Sequence, residues 1–127
     1  MQDKIVIVIA DDDRTIANLV KYRLERHEFE VHVGNDGSQA LSLIRGLVPD
    51  MVILDLMMPV LSGFEVLRAM RGSLETRDIP TIILSARENE EDVLKGFELG
   101  AVDYITKPFS PVELAARVRA NLNGKLK

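Results

Sequence analysis

Residues Lys4 to Leu19 read KIVIVIADDDRTIANL. Ile5 to Ile9 is an unbroken run of β-branched residues, the composition of a strand covered on both faces, as in a parallel sheet. The run passes into Asp11, Asp12 and Asp13, and then into Ile16, Leu19, Val20 and Leu24, which share one face of a helix. A strand feeding directly into a helix is the opening of a βαβ unit. Three adjacent carboxylates at the strand end repel one another. They pose the chemical question: what they hold, and whether one of them is a nucleophile.

The same alternation continues along the chain. Further apolar runs cover Phe29–Val33, Met51–Leu54, Ile79–Leu84 and Tyr104–Thr106. Between and after them, helical faces are expected at Leu41, Ile44 and Val48, at Phe64, Leu67 and Met70, at Leu94 and Phe97, and at Leu114, Val118 and Leu122. Asp36-Gly37 turns into the second helix, Pro49-Asp50 stops it, Ile79-Pro80 restarts a strand and Gly100 closes the fourth helix. Five strands alternating with five helices predict right-handed crossovers and a doubly wound parallel α/β sheet. Such a sheet takes ligands outside the carboxyl ends of its strands. At those ends stand Asp11, Asp12 and Asp13, then Asp55, then Ser85, then Lys107.

Composition narrows the classes. The chain has 127 residues, enough for one core, with 46% hydrophobic and 28% charged residues. It has no cysteine, so disulfide and thiolate chemistry are excluded, which fits a reducing compartment. Its apolar runs are far shorter than the roughly 20 residues that span a bilayer. The first residues read as a core strand and not as a signal peptide. A formal net charge of -4 argues against direct nucleic-acid binding. One domain is expected over 1–123, with 124–127 a tail or the start of a linker.

Crowded carboxylates call for a hard divalent cation, and Mg²⁺ takes one or two carboxylates together with water and phosphate oxygens. A carboxylate free of strong coordination can attack phosphorus to give an aspartyl-phosphate. A lysine ammonium and a hydroxyl would then neutralise and hold the phosphoryl oxygens. The set lacks a Ser–His nucleophile, a Gly-rich phosphate loop and a zinc cluster. Each member alone has an ordinary reading, an Asp or Ser as a helix cap and a Lys as a solvated charge. Their joint placement does not.

From Ile5 to about Leu122 the chain resembles the receiver domain of a bacterial two-component response regulator. The resemblance is carried by Asp11-Asp12, by DLMMPVLSG from Asp55 to Gly63, by LSA at Ser85 and by GAVDYITKPF from Gly100 to Phe109. It implies the flavodoxin-like sheet order 2-1-3-4-5. It also implies Asp55 as phosphoacceptor, and Asp11, Asp12, Asp55 and the backbone carbonyl of Met57 around Mg²⁺ (or Mn²⁺). Lys107 would pair with Asp55 or the phosphoryl oxygens, and Ser85 would bond the phosphoryl group. Tyr104 would be an aromatic switch and the Lys107-Pro108 bond cis. Met57 and Arg87 would tune dephosphorylation, with Met57 covering the phosphoryl group and prolonging its life. The donor would be a histidine kinase or phosphotransfer protein, docking on the first helix around Ile16 and Val20, in the cytoplasm.

The C-terminal part resembles receivers that carry winged-helix DNA-binding domains, which implies an output domain if the chain is a fragment. It also implies a homodimer through helix four, strand five and helix five, for which Asp103, Glu113, Arg117 and Arg119 are present. Val93 and Val102 stand where such relatives carry charges, and 121–124 lacks their terminal basic pair. Two other readings remain at this stage. Asp11, Asp13 and Thr15 match the first motif of haloacid-dehalogenase-like phosphatases, with Asp11 as nucleophile and Asp13 as acid–base. That reading lacks a later acidic pair and leaves DLMMPVLSG unexplained. A receiver-like adaptor that works without phosphorylation is the other.

Overall fold

Hydrophobic alternation within each strand divides the core in two. The computed structural model describes residues 4–122, and among them β1 (Val6–Ala10), α1 (Arg14–Glu25), β2 (Glu30–Gly34), α2 (Gly37–Leu47), β3 (Met51–Leu54), α3 (Gly63–Arg71), β4 (Thr81–Ser85), α4 (Glu90–Glu98), β5 (Asp103–Thr106) and α5 (Pro111–Asn121) follow one another. The strands form one parallel sheet in the order β2-β1-β3-β4-β5, as expected. Ile7, Ile9, Met51, Ile53, Ile82 and Leu84 point to the face covered by α1 and α5. Val8, Ala10, Val52, Leu54 and Ile83 point to the face covered by α2 and α3. The expected tail at 124–127 lies outside the described residues.

Local signals place the helix starts. Asp13, Asp36, Ser62, Asn89 and Ser110 each cap a helix by accepting a backbone N–H. Ser62 and Glu65 close a reciprocal capping box at α3. Pro111 occupies the first turn of α5, where its missing N–H is harmless.

Three expected helix faces are corrected. Val20 is fully buried in the core, so it cannot be part of a docking surface, and Ile16 is half-buried; the exposed apolar residues of α1 are Leu19 and Tyr22. Val48 lies outside α2 as its left-handed cap and is exposed. On α4, Leu94 and Phe97 are 56% and 46% exposed instead of buried. The residue buried there is Gly96, where an added Cβ would come within 2.6 Å of Ile83 Cδ1 and 3.5 Å of the Tyr104 ring. Glycine lets α4 sit close to the sheet, and the two large apolar side chains then fall on its outer side.

Candidate functional site

Backbone hydrogen bonds fix the site before any side chain does. The residue just past each strand end is tied to its neighbour: Asp11 N–H donates to Gly34 O at 3.1 Å, Asp55 N–H to Ala10 O at 2.8 Å, and Lys107 N–H to Ser85 O at 2.8 Å. Parallel register therefore sets Asp11 beside Asp55, and Ser85 beside Thr106, the last residue of the strand that Lys107 follows.

Asp11 and Asp55 are 1% and 6% exposed, while Asp12 reaches solvent. A carboxylate oxygen of each lies within 4.8 Å of the others. Lys107 Nζ stands 2.9 Å from Asp11 Oδ2 and 3.5 Å from Asp55 Oδ2. The ammonium thus pairs more closely with Asp11 than with the expected Asp55. Asp11 Oδ1 also accepts from Asp13 N–H at 2.9 Å, and Asp55 Oδ1 from Met57 N–H at 3.3 Å. Three carboxylates face one ammonium, so the pocket is strongly anionic. Hard oxygen donors, two of them buried, fit a divalent cation.

Burial, and then the charge of Asp11, push the Asp55 carboxyl up to about 6; Lys107 and the Met57 N–H oppose this without cancelling it. For Lys107, burial works downward, but the Asp11 hydrogen bond and the two carboxylate charges outweigh it and hold its pKa up. At neutral pH the pair is an ionised carboxylate beside an ammonium. That is the state a nucleophile for phosphorus requires.

The three aspartates of the opening stretch divide their tasks. Asp13 turns to α1, where its Oδ1 accepts from Thr15 and Ile16 N–H at 3.0 and 3.2 Å. It is a helix cap, not an acid–base facing Asp11. Ser85 is fully buried, and its Oγ accepts from Arg87 N–H at 3.1 Å. The Tyr104 hydroxyl donates to the Arg87 carbonyl, and burial raises the Tyr104 pKa. Met57 is 56% exposed at the rim, its sulfur 3.6 Å from an Arg87 guanidinium nitrogen. Met58 is partly buried against the core. The Lys107-Pro108 bond is cis. His27 and His32 lie on the surface or at the sheet edge, away from the pocket.

Some supporting residues escaped the sequence reading. Asn35 Nδ2 donates to the Asp11 carbonyl at 3.3 Å. Gly63 N–H donates to Leu56 O at 2.9 Å, and a Cβ on Gly63 would lie 2.2 Å from the Asp55 carbonyl oxygen, so α3 abuts the acceptor directly. The Gly at the end of DLMMPVLSG was the available signal. Between them Val60 sits at φ 72°, in a tight turn closed by Leu61 N–H and Pro59 O at 2.9 Å. A β-branched residue is strained there. Val60→Asn should stabilise the protein by about 0.5–1 kcal/mol, read as a raised urea midpoint with an unchanged slope.

The residues expected at a dimer face make contacts within the chain. Arg117 bridges Asp103 and Glu113 of its own chain, at 2.9 Å each. Arg119 instead lines a groove between α1 and α5 with Arg23 and His27. No helix among the described residues is long and apolar enough to cross a membrane.

The family model for the response regulator receiver domain matches residues 7–119. Among solved structures, the receiver domain of the Francisella response regulator 1452 is 36% identical, with a TM-score of 0.88, covering 97% of this chain and 100% of that one. A putative response regulator from Chloroflexus aurantiacus is 33% identical, with a TM-score of 0.89 over 95% and 99%. The signal receiver domain of a signal transduction histidine kinase from Syntrophus aciditrophicus is 34% identical, with a TM-score of 0.85 over 94% and 90%.

Proposed function

The chain belongs to the response regulator receiver domain family, and from that premise we propose that it is a phosphoacceptor switch of a two-component phosphorelay with Asp55 as the acceptor. The observation that carries this reading is the buried Asp55 carboxylate held beside Asp11, Asp12 and Lys107. An Asp55 oxygen attacks phosphorus of a phosphohistidine, the P–N bond breaks, and the imidazole nitrogen keeps the bonding pair. The donor is a histidine kinase or phosphotransfer protein. Receiver domains are signalling domains, and the chemistry of this chain is its own phosphorylation and its reversal.

Asp11, Asp12, Asp55 and the Met57 carbonyl would hold Mg²⁺ or Mn²⁺, which supplies charge neutralisation for the phosphoryl oxygens. Lys107, already between Asp11 and Asp55, is in reach of the same oxygens. Ser85 offers its hydroxyl from a fully buried position, and Tyr104 reads the loop that follows it through the Arg87 carbonyl. The output surface is the α4, β5 and α5 face, where Leu94, Phe97 and Val102 are exposed. A homodimer through this face would have to share the Arg117 bridges that now lie within one chain. The capping role of Asp13 speaks against the haloacid-dehalogenase-like alternative, and the intact acceptor, Ser85 and Lys107 against a phosphorylation-independent adaptor.

Intact-mass spectrometry after incubation with Mg²⁺ and acetyl phosphate tests the reading. Wild type should gain one phosphoryl group and Asp55→Asn none. Labelling that survives Asp55→Asn and disappears in Asp11→Asn would favour the phosphatase-like alternative, and no labelling by acetyl phosphate or a cognate kinase the adaptor.

Met57 cannot orient a water molecule through a strong hydrogen bond. Met57→Asn should therefore shorten the phosphorylated state about threefold or more, the scale of a modest gain in positioning a water. A decay time course on the isolated phosphoprotein measures it, and unchanged or slower decay would remove Met57 from that role.

A further inference from the structure

Acids outnumber bases in this chain, which carries a formal net charge of -4, yet one groove on its surface is basic. It is lined by Arg23 and His27, from the last turn of α1 and just beyond it, and by Val112, Ala115, Ala116 and Arg119 of α5. The cause lies in how the two helices spend their acids. α1 contains one, Glu25, and α5 contains one, Glu113. Glu25 pairs with Lys21 and Glu113 with Arg117, each one turn away along its own helix. Neither acid lines the groove, and among the described residues neither Arg23 nor Arg119 makes an ion pair.

Solvated surface cations are ordinary, so charge alone does not make a site. Apolar area at the same place does more. Val112 is 66% exposed, although Leu114, Ala115 and Val118 of the same helix are buried. Ala115 and Ala116 carry no atom beyond Cβ, so the space between the arginines stays open. The His27 ring stands 6.2 Å from that of the buried Phe29, an aromatic contact that steadies this wall. An apolar trough flanked by cations is the complement of a ridge that shows an apolar stripe between carboxylates. The concave shape favours such a ridge over a flat lipid surface. A nucleic-acid backbone would match the charge and leave the trough unfilled.

We propose that the groove between α1 and α5 docks an acidic amphipathic segment of a partner protein. Its apolar side chains seat over Val112, Ala115 and Ala116, and its carboxylates pair with Arg23 and Arg119. The surface is distinct from docking around Ile16 and Val20, neither of which lines the groove. It includes none of Asp11, Asp12, Asp55, Ser85 and Lys107, so the proposal goes beyond the phosphoacceptor reading and does not rest on it.

The test uses the full chain and a fluorescent synthetic peptide of about 16 residues, long enough to form a helix. The peptide carries Leu at i, i+3 and i+7 spacing with Glu on either side. Comparison probes are the same peptide with Gln for each Glu, polyglutamate, and phosphatidylglycerol vesicles. The Leu/Glu peptide should bind saturably and move the amide NMR signals of Arg23, His27, Ala115, Ala116 and Arg119. Raising salt from about 0.1 M to about 1 M shortens the screening length from about 10 Å to about 3 Å and should weaken binding about tenfold. Arg23→Ala and Arg119→Ala should each weaken it about twofold to fivefold, the range of exposed ion pairs. Val112→Asp sets a like charge against the peptide and should weaken it about tenfold or more. Arg45→Ala, on the exposed side of α2, should bind as wild type does. Thermal melts establish that each variant is folded, and Arg23→Glu and Arg119→Glu decide if an alanine variant is not. No saturable binding below about 1 mM overturns the proposal. So does an Arg45→Ala loss equal to those of Arg23→Ala and Arg119→Ala, or a Gln peptide that binds equally well. Polyglutamate binding as tightly would reduce the groove to a patch of charge, and vesicles bound in place of the peptide would make lipid the ligand; either result overturns it.

Discussion

Asp55→Asn should melt several degrees above wild type at pH 7.5 in EDTA. The Asp55 carboxyl titrates at about 6 in the folded protein against 3.8 for an ordinary aspartate, because burial and the Asp11 charge disfavour its ionised form. A folded pKa above the unfolded one means that the folded state binds the proton more tightly. Stability therefore falls as pH rises from 3.8 towards 6 and stays lowered above that. Asn keeps the oxygen that accepts from Met57 N–H, and Lys107 keeps Asp11, its closer partner. The charge penalty disappears with little else lost. At 1.36 kcal/mol per pKa unit the gain is about 1–3 kcal/mol, within reach of any thermal melt. It should shrink to nothing about a unit below 3.8, where the wild-type carboxyl is protonated folded or unfolded. A gain that does not vary with pH would point to repacking instead. Saturating Mg²⁺ should narrow the gap by stabilising the wild type, since a ligand that binds only the folded state adds to its stability.

Arg71→Met should have the opposite sign and a larger size. The Arg71 guanidinium donates to Leu99 O and Ile79 O at 3.2 Å and to Arg77 O and Gly100 O at 3.0 Å. One side chain thus ties the end of α3 to the segments that lead into β4 and β5. Burial lowers its pKa, yet the guanidinium remains charged. Methionine fills similar volume but leaves those carbonyls without their donor. Hydrogen bonds to a charged group contribute about 1.5–3 kcal/mol each and do not add fully, so a loss of about 2–4 kcal/mol is expected. Arg71→Lys should recover only part, because an ammonium lacks the planar fork. Both variants should still accept a phosphoryl group at low temperature, since Arg71 works at the amino ends of β4 and β5 and the pocket lies at the carboxyl ends. Chemical denaturation and intact mass on the same samples separate the two effects. A variant as stable as wild type would show that water satisfies the carbonyls equally well.

The strands and the pocket were legible because each rests on a local signal. Met51–Leu54 is a four-residue apolar run with an acid after it, and it is β3 with Asp55 following. Asp11, Asp12, Asp55, Ser85 and Lys107 stand out as polar residues where apolar runs stop. The α4 face was misread because a period-three pair of large apolar residues, Leu94 and Phe97, is a stronger pattern than a single glycine. Yet close approach to Ile83 and Tyr104 selects the glycine side. Val20 was misplaced for a related reason: apolar spacing marks the helix stripe without saying which of its members reach solvent. Arg71 left no trace at all. Its partners include carbonyls 28 and 29 residues away, and a lone arginine at a helix end looks like any solvated charge. The division of labour among Asp11, Asp12 and Asp13 required coordinates, since three identical neighbours differ only in where the turn aims them.

The backbone bonds that seat Asp11, Asp55 and Lys107 each run to an adjacent strand. A slip of one residue in any pairing would carry a charge about 3.3 Å along and turn its side chain to the opposite face. The pocket is thus a readout of correct folding: a chain paired in any other register does not bring Asp11, Asp55 and Lys107 together, and on the proposed reading it has no acceptor to phosphorylate.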